Sequence, residues 1–266
     1  MKAFGFYGLS AFERLGVYLA RHTFAGRGSV RPFVEALFLP ARATPRDGLI
    51  WDGKVKLRLP PKSNLKYLII DQRYNKPERD YLRQAIREGD VIADIGANIG
   101  FYTLWLASQG GPRTRLVAVE PNPPVYESLV ENVRLNGFDN VVTVNAAVGE
   151  KDGTASFGVF ADAPSVGSIL AKDAQQITVP MRTLASILKE HGLSECNIVK
   201  IDVEGYEYQA LMPYLEATPV AKWPRLFVME QNHRARHWDG DLVEAILKNG
   251  YRVVIKTRGN IVLEKA

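Results

Sequence analysis

The sequence is poor in the features typical of disulfide-bonded, zinc-binding or membrane-spanning proteins. Cys196 is its only cysteine, which excludes an intrachain disulfide and a zinc site built on several thiolates. No apolar run reaches about 18 residues, because the nearest candidate, residues 91–108, contains an aspartate and an asparagine. Glu13 and Arg14 interrupt the apolar stretch near the N-terminus, which therefore lacks a secretory pattern. Together these absences predict a cytoplasmic protein.

The charge of the chain is modest and unevenly placed. Of the net charge of +5, residues 1–50 contribute +4 through seven basic and three acidic side chains. The remaining residues therefore lack the basic surface of a DNA-binding protein, and we expect no DNA partner. For residues 1–50 the sequence leaves four possibilities: contact with a membrane surface, contact in a homo-oligomer, an amphipathic lid, or a helix that caps the domain.

From Gly89 onward, short apolar runs alternate with helical patterns, as they do in chains that form a parallel sheet covered by helices. A tight turn around Gly259 predicts a hairpin that adds an antiparallel edge. The predicted strands of this sheet cover residues 90–94, 115–120, 141–146, 197–203, 226–230, 251–256 and 261–264.

Two regions depart from that alternation. Residues 154–160 and 176–182 alternate as strands do and predict a local β extension. Upstream, residues 4–40 favour helix, and residues 54–59 with 66–70 predict a small β element. We therefore expect an N-terminal extension over residues 1–73 and an α/β domain over residues 74–266.

The sequence DIGANIG, residues 94–100, ends the first predicted strand of the sheet. Its glycines allow close approach of a ligand to the backbone at a strand-to-helix turn. The spacing differs from G-x-G-x-x-G of dinucleotide-binding folds, and no Gly-Lys-Ser/Thr of a P-loop follows. Asp94 would attract an ammonium group and repel a pyrophosphate, so a ligand with an aminoacyl end fits this turn better.

Glu120 is the last residue of the second predicted strand and stands 26 residues after Asp94. An acidic residue in this position can accept hydrogen bonds from both hydroxyls of a ribose. The turn and the acid together predict binding of S-adenosylmethionine.

Six motifs occur in order along residues 74–232: VIADIGANIGFYTLWLA, VAVEPNP, ENVRLNG, NAAVGEKDG, VGSIL and VKIDVEGYE. This set closely resembles the FkbM family of S-adenosylmethionine-dependent methyltransferases. The resemblance implies the class I, Rossmann-like methyltransferase fold, with a seven-stranded, mostly parallel sheet and an antiparallel C-terminal hairpin. It also implies a cofactor site formed by Glu78, Asp94, Gly96, Asn98, Gly100, Glu120, Asn122, Ala147 and Val148.

The segment VKIDVEG ends the fourth predicted strand, and ligands of α/β sheets bind at the carboxyl ends of strands. Alternation directs Lys200, Asp202 and Glu204 to the same side. Methylation of an alcohol requires a proton acceptor, which Asp202 or Glu204 could supply, while Lys200 could pair with either carboxylate. A pair of acids at a helix start without a catalytic role is the alternative.

Acidic, amide and imidazole groups follow the fifth predicted strand. Glu230 and His233 are further candidates for a general base. Asp202, Glu230 and Asn232 could instead hold a divalent metal through oxygen ligands, although a metal is not our main expectation.

These observations predict a methyltransferase that acts on a hydroxyl of a small molecule or glycan. An RNA or protein acceptor is the first alternative, although the sequence has no Asp/Asn-Pro-Pro-Tyr/Phe motif after the fourth strand. A cofactor-binding partner protein without catalysis is the second.

Overall fold

The computed structural model describes residues 2–24, 28–51, 54–160, 163–230 and 241–266. The strands are β1 (Arg46–Ile50), β2 (Val55–Leu59), β3 (Val91–Ile95), β4 (Arg115–Val119), β5 (Val141–Val144), β6 (Ala147–Val148), β7 (Gly153–Phe160), β8 (Ala163–Ser168), β9 (Gln175–Arg182), β10 (Ile198–Ile201), β11 (Leu226–Glu230), β12 (Tyr251–Lys256) and β13 (Asn260–Lys265). The helices are α1 (Ala11–His22), α2 (Arg31–Phe38), α3 (Tyr67–Ile70), α4 (Lys76–Ala85), α5 (Phe101–Gly110), α6 (Pro123–Asn136), α7 (Leu184–Glu190), α8 (Glu207–Glu216) and α9 (Leu242–Leu247).

The central sheet has the strand order β12-β13-β11-β10-β3-β4-β5. Strands β11, β10, β3, β4 and β5 are parallel, and β13 pairs antiparallel with both β11 and β12. The predicted class I methyltransferase fold with its antiparallel C-terminal hairpin is thus confirmed. The carboxyl ends of β3, β4, β10 and β11 meet at one edge, where sequence reasoning placed the candidate site.

Both faces of the sheet are buried because its strands are apolar on both sides. On β3, Ile92 packs in the cluster that contains α5, α6 and the N-terminal helices, whereas Ala93 packs in the cluster that contains α7, α8 and α9. A strand that is covered on both faces loses the alternation of polar and apolar residues. This is why VIADI reads as a continuous apolar run.

The small β element is built differently from the prediction. Residues 66–70 were predicted as a strand, but Tyr67–Ile70 form a short helix and β2 pairs instead with β1. Leu68, Ile69 and Ile70 are all buried, and a short apolar run of this kind has no period that separates helix from strand. The β1 strand was missed because its Arg46 and Asp47 look exposed in sequence, whereas both are buried.

A separate sheet of order β6-β9-β7-β8 contains the predicted extension. Residues 153–160 and 175–182 form its antiparallel core, as the alternation indicates. The sequence does not predict β8, and it predicts a third central strand that runs through residue 146. In the structure that strand ends at residue 144, and residues 147–148 pair with β9 in the smaller sheet.

A network of ion pairs centred on the buried Arg58 connects the N-terminal extension to the α/β unit. Arg58 donates from Nε to Oδ1 of Asp47 at 2.6 Å and from NH1 to Oε1 of Glu131 on α6 at 2.7 Å. Asp47 also accepts from the backbone N–H groups of Gly5 and Tyr7. Although burial opposes it, the hydrogen bonds from Arg58 and these amides hold the pKa of Asp47 below its ordinary value.

Much of the positive charge of residues 1–50 is engaged inside the molecule. Arg21 donates to the carbonyls of Leu49 and Ile69, and Arg46 pairs with Glu13. Hydrophobic side chains are prominent on the outer faces of α1 and α2. No helix of the described residues is long and apolar enough to cross a membrane. The oligomer contact, the membrane contact, the cytoplasmic location and the boundary at residue 73 stay predictions.

Candidate active site

The turn after β3 is held tightly between two neighbouring strands. The backbone N–H groups of Gly96 and Ala97 both donate to the carbonyl of Val119 at 2.9 Å. Gly96 has φ +74°, and a Cβ atom there would stand 1.8 Å from the carbonyl oxygen of Asp202. The sequence predicts that Gly96 lets a ligand come close to the backbone. The structure adds a second reason for glycine here, because the backbone of Asp202, a candidate base, also lies against Gly96.

Glu120 lies at the end of β4 and receives two backbone hydrogen bonds. Its Oε2 accepts from the N–H of Asn98 at 2.9 Å, and its Oε1 accepts from the N–H of Asn122 at 3.0 Å. Burial raises the pKa of Glu120 to about 7, although these two hydrogen bonds act in the opposite direction. The carboxylate keeps acceptor capacity for further donors, such as the two hydroxyls of a ribose.

Asp94 and Lys200 form an ion pair beneath this turn. The Nζ of Lys200 is 3.3 Å from Oδ1 of Asp94 and 3.7 Å from Oδ2 of Asp202, and it donates to the carbonyl of Gly96 at 3.1 Å. Oδ2 of Asp94 accepts from the hydroxyl of Thr103 at 2.6 Å. Although burial favours the neutral amine, the carboxylate of Asp94 raises the pKa of Lys200 above its ordinary value.

A cleft of about 1050 Å³, counting the space open to solvent, lies over these groups. Tyr67 and Tyr74 also line it, with ring centroids 5.0 Å apart. Sequence reasoning missed both tyrosines, because residues 66–70 were assigned to a strand and no motif marked Tyr74. The predicted site residues in its lining are Gly96, Asn98, Glu120, Asn122, Ala147, Val148, Lys200, Asp202 and Glu204.

Three other residues of the predicted cofactor site, Glu78, Asp94 and Gly100, lie outside this lining. Asp94 is fully buried under the turn, and a Cβ at Gly100 would stand 2.9 Å from Cδ1 of Leu129. Glu78 is also buried, and its Oε1 accepts from Thr257 at 2.8 Å and from Asn260 at 3.0 Å. The positions of these three residues favour support of the cleft from behind rather than contact with a ligand inside it.

The structure brings Asp202, Glu204 and Glu230 together at the ends of β10 and β11. One carboxylate oxygen from each lies within 4.8 Å of those of the other two. Burial, together with the charges of Asp202 and Glu204, raises the pKa of Glu230 to about 9. Such a cluster can exchange a proton or offer oxygen ligands to a divalent cation. His233 and Asn232, which were also predicted here, lie outside the described residues.

The turn that carries Glu204 is fixed by side chains from two other elements. Glu204 has φ +53°, and its carbonyl accepts from the hydroxyl of Ser168 at 3.1 Å. Oε1 of Glu207, at the start of α8, accepts from the N–H groups of Val203 and Gly205. A non-glycine residue in the left-handed region is uncommon and costs energy, so this turn is held by its surroundings.

The donors and acceptors of the cleft fit S-adenosylmethionine. Glu120 offers a carboxylate to the ribose, and the backbone from Gly96 to Asn98 borders the cleft. Ala147 and Val148 add an apolar wall suited to an adenine ring. The acid cluster then lies on the side of the cleft next to β10 and β11, where an acceptor could enter.

Comparison with known proteins gives a family match over residues 94–253, to the methyltransferase FkbM domain. The 31-O-demethyl-FK506 methyltransferase FkbM of Streptomyces tacrolimicus is 27% identical over 210 residues, covering 66% of this chain and 79% of that protein. The hexuronic acid methyltransferase AglP of Haloferax volcanii is 26% identical over 140 residues, covering 50% of this chain and 55% of AglP.

A crystal structure of methyltransferase FkbM from Methylobacillus flagellatus KT shares the fold, with a TM-score of 0.50 and 17% sequence identity. The match covers 67% of this chain and 44% of the crystallised one. This chain therefore spans about half of AglP and less than half of the crystallised protein.

Proposed function

The chain belongs to the FkbM family of methyltransferases, whose cofactor is S-adenosylmethionine, and from this premise we propose that it methylates a hydroxyl of a small molecule or glycan. The observation that carries the proposal is the group of three carboxylates beside the cofactor cleft. The names of two relatives, a 31-O-demethyl-FK506 methyltransferase and a hexuronic acid methyltransferase, support an oxygen or sugar acceptor.

In this proposal the cofactor supplies an activated methyl group, and residues of the cleft hold it. Asp94 lies beneath the turn, Gly100 lies against Leu129 of α6, and Glu78 binds the C-terminal hairpin through Thr257. The residues in direct contact are Gly96 and Asn98 for the methionine end, Glu120 and Asn122 for the ribose, and Ala147 and Val148 for the adenine.

The acceptor hydroxyl must lose its proton as the new carbon–oxygen bond forms, because an alcohol is a poor nucleophile at neutral pH. Glu230, with its pKa of about 9, keeps its own proton near neutral pH and is a poor acceptor there. We therefore assign proton acceptance to Asp202 or Glu204. Lys200, 3.7 Å from Asp202 and bound to the carbonyl of Gly96, positions that carboxylate relative to the cofactor turn.

A divalent cation held by Asp202, Glu204 and Glu230 is a second version of the same site. Carboxylate oxygens suit Mg²⁺ or Mn²⁺, and a cation would displace the proton of Glu230 and orient the acceptor hydroxyl. The sequence-based version used Asn232 as a ligand, whereas the described carboxylates provide Glu204 in addition to Asp202 and Glu230.

The test begins with mass spectrometry of small alcohols and glycans incubated with the protein and S-adenosylmethionine. With the acceptor found there, turnover is measured for Glu204→Gln and Asp202→Asn. Loss of the general base should lower turnover by about 10²–10⁴ while affinity for S-adenosylhomocysteine is kept. Asp139→Asn is the matched control, because this exposed acid precedes β5 at the opposite edge of the sheet.

Near-wild-type turnover in both Glu204→Gln and Asp202→Asn would show that the base assignment is wrong. Activity that falls with EDTA and returns with Mg²⁺ or Mn²⁺ would favour the cation version, and indifference to EDTA would remove it. Cofactor binding without methylation of any hydroxyl acceptor would favour a partner protein without catalysis. Methylation of RNA or protein would favour an enzyme with a macromolecular acceptor.

A further inference from the structure

A second concave surface lies between β2, α4 and α5, away from the cofactor cleft. We call it the basic groove. Among the described residues, its charged lining consists of five basic side chains and one acidic side chain: Lys54, Lys56, Lys76, Arg79, Arg83 and Asp80. A groove with one dominant sign of charge concentrates counter-ions. The methyl-transfer proposal uses none of these residues.

Arg79 is the buried cation of the groove, with only 3% of its surface exposed. It donates from Nε to the carbonyl of Tyr74 at 3.0 Å and from NH2 to the carbonyl of Gln72 at 2.7 Å. Its guanidinium also lies over the rings of Trp51 and Trp105, at 5.4 and 6.0 Å from their centroids. Among the described carboxylates, none is within ion-pair distance of Arg79.

A buried guanidinium without a counter-ion is costly, and burial accordingly lowers the pKa of Arg79. In the part of the chain that the structure describes, the charges of the other cations are only partly compensated. Lys76 pairs with Asp80, whereas Arg83 donates to the amide oxygen of Gln109, which is neutral. Lys56 reaches only the carbonyl of Leu135 and the ring of Phe4 in the described part of the chain.

Trp105 provides a second, independent observation. It is 99% buried in the lining of the groove, and its indole Nε1–H has no acceptor among the described residues. Buried indole groups usually find a hydrogen-bond partner, because an unsatisfied buried donor is destabilising. A cation without a counter-ion and a donor without an acceptor therefore line the same groove.

We propose that the basic groove binds a ligand through a diphosphate or another group with several phosphate charges. Arginine and lysine bind phosphate oxygens through charge-assisted hydrogen bonds, and Arg79 would gain its missing counter-charge. The excess of four positive charges among the described lining residues matches a polyanion better than a single carboxylate. The rings of Trp51 and Phe138 provide apolar surface for the part of the ligand next to the phosphates.

A layer of aromatic side chains lies between the groove and the cofactor cleft. The ring of Trp51, on the groove side, is 4.7 Å from that of Phe101, which lines the cleft. Phe101 in turn lies 5.4 Å from Tyr74, whose carbonyl holds Arg79. The two sites are nevertheless built from different side chains, so groove variants can be tested without disturbing cofactor binding.

The test uses the full chain with inorganic pyrophosphate, by calorimetry at physiological ionic strength. The variant Arg83→Gln/Lys54→Gln changes two exposed side chains and leaves the buried Arg79 in place. Because the variant removes two charge-assisted contacts to phosphate, affinity should fall by at least about tenfold. The control Lys172→Gln/Lys189→Gln removes the same charge from exposed positions outside the groove and should bind pyrophosphate as the wild type does.

A second arm separates two sources of phosphate. Vesicles of phosphatidylcholine with phosphatidic acid are compared with vesicles of phosphatidylcholine alone, for the wild type and both variants. If the groove variant weakens binding of pyrophosphate but not of vesicles, the ligand is soluble. If it weakens binding of the vesicles with phosphatidic acid, the phosphate belongs to a lipid. The proposal is overturned if the wild type binds neither probe, or if the groove variant and the control weaken binding equally. Affinity for S-adenosylhomocysteine should be unchanged in both variants.

Discussion

Glu120 makes the cofactor cleft sensitive to pH near neutrality. Its pKa of about 7 means that the carboxyl is largely protonated below that pH, while ribose hydroxyls donate best to the ionised form. We expect affinity for S-adenosylhomocysteine to rise with pH through about 7 and to fall by up to about tenfold per unit below it. Calorimetry between about pH 6 and pH 8 measures this dependence.

The variant Glu120→Gln is the control for this prediction, because the amide keeps the size of the side chain and cannot titrate. It should bind more weakly at high pH and show a nearly flat profile. A slope equal to that of the wild type would assign the titration to another group. Two charged neighbours also act on the pKa of Glu120: Lys200 lowers it and Asp94 raises it.

Gly96 and Gly137 offer a matched pair for testing why the turn after β3 needs glycine. Both have positive φ, but a Cβ at Gly137 meets nothing within 4 Å, whereas one at Gly96 meets the carbonyl of Asp202. Gly137→Ala should cost about 1–2 kcal/mol of stability from backbone strain and leave cofactor affinity unchanged. Gly96→Ala should also lower affinity for S-adenosylhomocysteine by at least about tenfold, or about 1.4 kcal/mol.

Thermal unfolding and calorimetry on the same preparations check both variants. Equal cofactor affinity in Gly96→Ala and Gly137→Ala would contradict the close approach of the two strands. The sequence predicted this glycine turn because the motif is local. It could not predict the contact with Asp202, because that residue is more than a hundred positions away and only the strand order brings it close.

At the scale of elements, α6 contacts the extension through two asparagines that hydrogen-bond to the backbone of β2 as a neighbouring strand would. Oδ1 of Asn132 accepts from the N–H of Arg58, and its Nδ2 donates to the carbonyls of Arg58 and Ile99. One turn later, Asn136 makes the same pair of bonds with Lys56 at a solvent-exposed position. The two asparagines thus satisfy one edge of β2 in place of a neighbouring strand.

Asn132→Ala should lower the free energy of unfolding by at least about 3 kcal/mol, because three buried backbone groups lose their partner. Asn136→Ala should cost less than about 1 kcal/mol, since water can replace the lost bonds at the exposed position. Denaturation with urea measures both changes. Equal losses in the two variants would mean that burial does not decide the strength of this junction.

The sequence contains these asparagines within ENVRLNG, yet it did not indicate what they bind. Their partner strand stands more than seventy residues upstream and was predicted with the wrong neighbour. The strands of the central sheet were predicted well because each has its own apolar run and an adjacent turn. The elements β1, α3 and β8 were missed or misassigned, although β1 and β8 pair with strands that are close to them in sequence. The charged Arg46 and Asp47 of β1 are buried, and the apolar run of α3 has no period that separates helix from strand.

At the scale of the whole molecule, the N-terminal extension shares a hydrophobic core with the α/β unit. Val17 and Leu39 belong to the same buried cluster as Leu104 and Ile92. We expect deletion of residues 1–45 to abolish cooperative unfolding, because the loss of this burial and of the partners of Arg46 and Asp47 exceeds a typical stability of about 5–15 kcal/mol.

The double variant Phe33→Ser/Leu37→Ser is the control for the deletion. These side chains are 81% and 63% exposed on α2, so their replacement changes the outer surface without opening the core. It should keep the melting temperature of the wild type in calorimetric scans. A deleted chain that unfolds cooperatively at the same temperature would show that the α/β unit folds without residues 1–45.

The single cysteine has a practical consequence for work with maleimide reagents, which react with the thiolate. Cys196 is 99% buried before β10, and burial raises the pKa of its thiol to about 12. It will therefore stay unmodified in the folded chain at neutral pH, and the wild-type sequence already serves as an unreactive background. A cysteine introduced at exposed Ser29 would accept a fluorophore or spin label at one defined place, and Cys196 would not have to be replaced first.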